Sequence, residues 1–153
     1  MNRIEFRAER LPLPPWTRPA KSFVQKVLGH LGLKNWELSV LFCDNEYIKS
    51  LNAQYRNKNE ATDVLSFPLG ESSPDGRYHA GDIVISLDAL EENARSFKVS
   101  PDEELRRLFV HGILHLSGED HITNKAEEAM LKTQEKILKA IPQSIMLAAT
   151  ENI

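Results

Sequence analysis

The chain has 153 residues, of which 41% are hydrophobic and 27% are charged, so it is long enough for one globular domain and too short for two ordinary ones. Its formal net charge of −3 excludes a general electrostatic attraction to nucleic acid, and any such contact requires a local basic patch. Cys43 is the single cysteine, which excludes an internal disulfide bond. We find no targeting signal and no run of about 20 apolar residues, and we therefore expect a cytoplasmic protein that does not contact a membrane.

The first part of the chain contains two predicted strands and one predicted helix. Residues 4–7 are a candidate first strand, and the four prolines within residues 11–19 predict an extended connector. Residues 20–31 have the apolar spacing of a helix, and Gly32 follows its end. Residues 36–42 alternate between apolar and polar side chains, which is the pattern of a half-buried strand.

A second helix is predicted from the residues after Asp44, which is a typical N-cap residue. This helix extends to about Tyr55, and the helical spacing places Ile48, Leu51 and Tyr55 on its inward face.

Residues 63–67 and 82–86 have the composition of two further strands. The segment between them, GESSPDGRYHAG, is rich in turn residues and predicts a loop. Residues 87–97 predict another helix.

The strongest helix-start signal in the chain lies at residues 100–103. Ser100 is the predicted N-cap, Pro101 takes the first helical position, and Glu103 completes a capping box. This helix extends to about Leu116 and stops at Gly118. Its second half, LFVHGILHL, is apolar on nearly every side, and such a helix lies at the centre of a domain.

A last helix is predicted over residues 124–140, and Pro142 ends it. Its inward face carries Met130, Gln134, Ile137, Leu138 and Ile141. Together these elements predict one α+β domain over residues 1–153, a small mixed sheet covered by helices, with a flexible tail at residues 142–153.

The segment HGILHLSGEDH carries the clearest chemical signal. His111 and His115 are four residues apart on one face of the central helix, and Gly118 can turn the chain so that His121 supplies a third ligand. Three imidazoles leave a coordination position open, which is typical of a catalytic zinc site. The sequence therefore predicts one divalent ion per chain, most simply Zn²⁺, although three imidazoles also suit nickel or copper.

The same spacing occurs in metzincin proteases, in which a glutamate follows the first histidine and serves as the general base. Here that position is Gly112, and Glu119 and Asp120 flank His121, where they cannot replace a base on the helix. A metalloprotease is therefore the least favoured interpretation.

Three blocks of sequence resemble the YbeY family of bacterial rRNA maturation factors. They are HGILHLSGEDH, LNAQYRNKNEATDVLSFPL and GDIVIS, and the similarity extends over residues 38–130. The resemblance implies an α+β fold, three histidine ligands, zinc, and an endoribonuclease that is specific for single strands. It also implies action at the 3′ end of the small-subunit (16S) rRNA, in ribosome maturation and quality control, with the small subunit or its proteins as partners.

Carried onto this chain, the catalytic arginine of the family corresponds to Arg56. A guanidinium suits the charge that develops on a phosphate during cleavage, but an arginine at a helix end can also serve the helix dipole. We take Arg56 and His111 as catalytic residues, and Arg56 and Lys58 as candidate RNA contacts.

The predicted mechanism is phosphodiester cleavage in which the metal activates water or acts as a Lewis acid, while Arg56 clamps the phosphate. The nucleophile is left open between water and the 2′-hydroxyl of the RNA. The alternative function is a non-catalytic ribosome-assembly factor that the metal stabilises. The sequence fixes neither the cleavage position nor the oligomeric state.

Overall fold

A computed structural model describes residues 1–118 and 124–146, with the backbone alone for residues 124–127. The described residues form a four-stranded mixed sheet and five helices. The strands are β1 (Arg3–Ala8), β2 (Trp36–Cys43), β3 (Val64–Ser72) and β4 (Tyr78–Ser86). The helices are α1 (Thr17–His30), α2 (Asn45–Arg56), α3 (Leu87–Phe97), α4 (Pro101–Leu116) and α5 (Asn124–Ala140). The predicted α+β domain with a small mixed sheet is confirmed.

The sheet has the order β1-β2-β4-β3. Strands β1, β2 and β4 are parallel, and β3 pairs with β4 in the antiparallel direction and forms one edge. In the register of the sheet, Ile83 of the central strand β4 lies between Val40 of β2 and Ser66 of β3. No described helix is both long enough and apolar enough to span a lipid bilayer.

The hairpin of β3 and β4 is longer than the sequence predicted. Most of the expected loop is strand, and pairing continues out to Ser72 and Tyr78. A register shift between Pro68 and Glu71 accommodates the turn-forming residues inside the ladder. Gly81 takes a φ of +132°, and a Cβ atom there would clash with the carbonyl oxygen of Phe67. Because β3 and β4 contain residues that are typical of turns, the composition of this segment did not reveal the full length of the two strands.

Helix α4 lies at the centre of the fold, as its apolar composition predicted. It packs against β3 and β4, while α1, α3 and α5 pack around it. Phe109 and Ile113 of this helix are fully buried with Phe23 of α1 and Phe42 of β2. The predicted inward face of α5 is confirmed, because all five of its side chains are buried.

Helix α2 packs on the opposite face of the sheet. A small second core forms there between Ile48, Cys43, Leu65 and Val84. Burial, followed by the charges of nearby aspartates, raises the pKa of Cys43 to about 12, so the thiol stays protonated and inert at neutral pH.

The prediction that Tyr55 faces inward is wrong, since its side chain is 62% exposed. The last turn of α2 lies beside the edge strand β3, where the ring of Phe67 is its aromatic neighbour at 5.5 Å between centroids. The helical spacing shows which side chains share a face of α2, but it does not show how many turns of that face are covered by the sheet.

Helix α4 begins as predicted, with one difference at the cap. The Ser100 hydroxyl accepts a hydrogen bond from the backbone N–H of Glu103 at 3.1 Å. The Glu103 carboxylate accepts from Arg107, one turn further on, at 3.2 Å. The side chain therefore forms an i,i+4 ion pair in place of the reciprocal half of the capping box.

The chain just after Pro142 is packed, where the sequence predicted a flexible tail. The buried Asp102 carboxylate accepts from the backbone N–H groups of Ile145 and Met146 at 2.8 and 2.7 Å, and Ile145 is fully buried. Arg106 donates to the other oxygen of Asp102 at 3.1 Å, which compensates the buried charge. The rest of the predicted tail, residues 147–153, lies outside the described residues.

Gly112 sets the distance between α4 and the sheet. A Cβ atom at this position would lie 2.9 Å from Cδ1 and 3.0 Å from Cγ2 of Ile83, which is itself fully buried. The absence of a side chain at Gly112 therefore lets the helix approach β4 closely.

We expect Gly112→Ala to lower the free energy of unfolding by about 1 kcal/mol, because overpacking costs about 1–3 kcal/mol and the gain in helix propensity is at most about 1 kcal/mol. Gly29→Ala in α1 is the matched control, since no atom lies within 4 Å of a Cβ there, and it should stabilise by about 0.5–1 kcal/mol. Urea unfolding followed by circular dichroism measures both. Equal stabilisation by the two substitutions would contradict the close packing at Gly112.

Candidate metal and RNA site

The two histidines of α4 are brought together as the sequence predicted. Their Nε2 atoms lie 3.2 Å apart and their ring centroids 4.7 Å apart, with both side chains partly buried. One helical turn between His111 and His115 produces this proximity.

Gln134 of α5 fixes the orientation of the first imidazole. Its Oε1 lies 2.9 Å from Nδ1 of His111, which places the proton of a neutral ring on Nδ1 and the lone pair on Nε2. The Gln134 side chain is itself held by Glu135, to which it donates at 3.3 Å. An orienting hydrogen bond of this kind is typical of metal-binding histidines.

The geometry of this pair fits a zinc ion. Two nitrogens bound to one tetrahedral Zn²⁺ at about 2.0–2.1 Å are about 3.3 Å apart, and the observed separation of the His111 and His115 Nε2 atoms is 3.2 Å. Residues 1–118 and 124–146 contain no cluster of three or more His, Cys, Asp or Glu side chains suited to a metal. The predicted third ligand, His121, lies outside the described residues. Gly118 takes the positive φ, +101°, that the sequence predicted for the turn after α4.

Arg56 and His115 line the same cavity, although they belong to different helices. This cavity has a volume of about 400 Å³, and its wall also includes Ser66, Pro68, Tyr78 and the residues that end α4. It lies along the edge strand β3, with the histidine on one side and the guanidinium on the other. The structure thus joins the two sequence motifs, YR and HGILH, at one site.

The Arg56 guanidinium is anchored by the edge of the sheet. Its Nη2 donates to the backbone carbonyl of Ser66 at 2.7 Å, and its Cζ atom lies 5.8 Å from the centre of the Phe67 ring. Asn57 ends α2 in the left-handed conformation, with φ of 57°, so the chain turns directly after the arginine. These contacts position an exposed cation at the mouth of the cavity.

Arg56 differs in its surroundings from the arginines of α4. Arg106 pairs with Asp102, and Arg107 pairs with Glu103 and Glu135, at 3.0–3.2 Å. Within the described part of the chain, Arg56 has no carboxylate partner. Among these residues, no carboxylate compensates its charge, whereas the charges of the α4 arginines are compensated.

Lys58, the second candidate RNA contact, is exposed on the loop after α2 and is not part of the cavity wall. The buried Asn52 holds this loop by donating to the carbonyl of Glu60 at 3.0 Å. Lys58 is thus close to Arg56 in sequence but separate from it in the site.

Sequence reasoning missed two polar residues of the site. Ser66 is 6% exposed, and its hydroxyl has no hydrogen-bond partner among the described residues. Gln134 was assigned to the apolar face of α5 without a role. In both cases the sequence shows a polar side chain at a position that the periodicity predicts to be in the core. A buried polar side chain requires a hydrogen-bond partner, and this requirement was the available signal.

The chain has clear similarity to known proteins. The family model for Endoribonuclease YbeY matches residues 3–142. The Endoribonuclease YbeY of Treponema denticola is 52% identical over 122 residues, which cover 77% of this chain and 79% of that protein. That of Borreliella burgdorferi is 49% identical over 126 residues, which cover 76% and 81%. The solution structure of TM1509 from Thermotoga maritima matches with a TM-score of 0.59 at 31% identity, over 90% of this chain and 88% of that one.

We expect Gln134→Leu to lower the Zn²⁺ affinity of the protein about 10- to 100-fold, because loss of an orienting acceptor weakens a histidine ligand by that factor. Competition with a colorimetric chelator measures the affinity. Gln134→Glu, which keeps an acceptor for Nδ1 of His111, is the control and should retain tight binding. Unchanged affinity in the leucine variant would show that Gln134 does not orient a metal ligand.

Proposed function

Because this chain belongs to the Endoribonuclease YbeY family, we propose that it is a metal-dependent endoribonuclease that cleaves single-stranded RNA. Its proposed substrate is the 3′ end of the small-subunit rRNA, in ribosome maturation and quality control. The proposed partners are the small subunit or its proteins, and the proposed location is the cytoplasm. One observation carries the proposal: the guanidinium of Arg56, which has no carboxylate partner among the described residues, and the imidazole of His115 line the same cavity, which has a volume of about 400 Å³.

The histidines supply the metal-binding part of the proposed site. His111 and His115 would hold the ion through Nε2, with Gln134 keeping the proton on Nδ1 of His111, and His121 is the proposed third ligand. When bound, a zinc ion of this kind supplies an activated water or a Lewis acid next to the phosphate. Nickel or another divalent ion that accepts imidazole ligands is the alternative occupant.

The other part of the proposed site holds the phosphodiester. Arg56 has N–H donors beyond the one that binds the Ser66 carbonyl, and a guanidinium binds two phosphate oxygens at once. The same donors stabilise the negative charge that grows on these oxygens during cleavage.

The packing of α4 disfavours peptide hydrolysis. In the protease motif, position 112 would carry the general-base glutamate, and here this position faces Ile83 of the sheet. A larger side chain at Gly112 would point into the core, away from the cavity that contains Arg56 and His115. A glutamate at position 112 would therefore face the sheet and could not act as a general base in the cavity.

We expect the purified protein to cleave a single-stranded RNA, and His115→Ala to abolish cleavage, because the metal-binding pair is then broken. Chelation should abolish cleavage and added Zn²⁺ should restore it. His30→Ala is the matched control, since His30 is exposed at the end of α1 and outside the site. Cleavage assays on identically prepared proteins measure the effect. Equal cleavage by wild type and His115→Ala would indicate a contaminating nuclease and contradict the proposal.

We expect Arg56→Ala to lower the cleavage rate at least about 100- to 1,000-fold, the loss typical of removing one transition-state donor, with the bound metal unchanged. Arg56→Lys should restore only a small part, because an ammonium cannot bind two oxygens in a fixed plane. Arg18→Ala, at an exposed position of α1, is the control. Metal content measured by mass spectrometry accompanies each rate, and loss of metal in Arg56→Ala would contradict the assignment.

The cleavage assays, together with the thermal midpoint with and without chelator, separate the enzyme from the alternative, an assembly factor that the metal only stabilises. A metal-stabilised scaffold loses its fold on chelation and shows no turnover in any variant. An enzyme loses turnover on chelation while its thermal midpoint changes little.

A further inference from the structure

A second groove lies on the other face of the sheet, where α2 leaves it partly uncovered. It has a volume of about 430 Å³, and its lining includes Tyr47, Tyr55, Phe67, Ser39, Asp82 and Arg7. This size is within the range of about 300–1,000 Å³ that is usual for small-ligand sites.

We propose that this groove is a nucleobase subsite, in which one base of a bound single-stranded RNA stacks on the exposed ring of Tyr55, beside Phe67. The inference rests on the proposed function and adds to it a specific contact for the base next to the phosphate that Arg56 holds. Aromatic side chains bind bases of single strands in this way, because every base presents a flat π-face.

The two aromatic rings form a surface that is open to solvent. Their centroids are 5.5 Å apart and their planes are inclined by 70°, so the edge of one ring contacts the face of the other. The ring of Tyr55 is 62% exposed and the ring of Phe67 is half-buried. Apart from its edge-to-face contact with Phe67, the Tyr55 residue is mostly exposed to solvent.

Arg56 joins the groove to the cavity that contains His115. Ser66 and Phe67 are neighbours on the edge strand, so their side chains point to opposite faces of the sheet. Ser66 lines the cavity with His115, Phe67 lines the groove, and the guanidinium of Arg56 lies over the Phe67 ring while lining the cavity. An RNA strand that crosses this edge can therefore place its phosphate at Arg56 and its base in the groove.

The charges of the groove suit a base better than a phosphate. Asp82 is the partner of Phe67 in the strand register, and its carboxylate also accepts from the Ser39 hydroxyl. A carboxylate repels a phosphate but accepts hydrogen bonds from the amino groups of bases, as it does from cytosine N4. Arg7 at the rim supplies a cation for the neighbouring backbone.

The test measures the dissociation constant of a fluorescein-labelled single-stranded RNA of ten nucleotides by anisotropy, with the base removed at one position at a time. For wild type we expect one position at which loss of the base weakens binding, about 5- to 100-fold for a stacked base. Tyr55→Ala should weaken binding of the intact RNA by the same factor, and should lose no further affinity when that base is absent. Tyr55→Phe keeps the ring and should bind like wild type.

Phe97→Ala is the matched control, because Phe97 is also 62% exposed and lies on α3, outside both the groove and the cavity. Binding of the intact RNA by Tyr55→Ala at wild-type strength would overturn the subsite, as would a penalty for base removal that persists in this variant. RNA binding that follows the expected pattern, without any cleavage, would support the subsite and contradict the proposed endoribonuclease activity. No RNA binding by wild type would overturn both.

Discussion

The site depends on how closely α4 packs against the sheet. Gly112 lets the helix approach Ile83, and on the helix packed in this way His115 lines the cavity along the edge strand β3. A bulkier residue in this position would force either the helix or the Ile83 side chain to move. Gly112 occupies the position at which the protease motif has its general-base glutamate. Its lack of a side chain also sets how close the helix that carries His111 and His115 lies to the sheet.

The edge strand organises the other half of the site. The outward carbonyl of Ser66 in β3 accepts a hydrogen bond from Arg56, which is the last residue of α2. Successive side chains of β3 alternate between the cavity and the groove. A central strand could not do this, because its carbonyls are taken by neighbours on both sides. Arg56 and His115 thus meet where a helix end, a strand edge and a buried helix come together.

Much of the fold could be predicted from the sequence, because helix caps and the alternation of apolar and polar side chains along strands are local signals. Asp44 and Ser100 begin helices as expected, and the i,i+4 spacing placed His111 beside His115. The length of the β3–β4 hairpin could not be predicted, because glycines and a bulge within a ladder look like a loop. Contacts between distant elements, such as that of Gln134 with His111, and the exposure of Tyr55 depend on packing that no local pattern encodes.

The contact between Arg56 and the Ser66 carbonyl has a consequence for the behaviour of the protein at high concentration. An exposed edge strand offers unpaired N–H and C=O groups to a strand of another molecule, and proteins avoid such pairing by placing charges and prolines there. Strand β3 has both, a guanidinium on its outward carbonyl and Pro68 two residues further on. The Arg56 guanidinium therefore occupies a carbonyl with which a strand of another molecule could pair, so the side chain proposed to bind phosphate also covers part of the sheet edge.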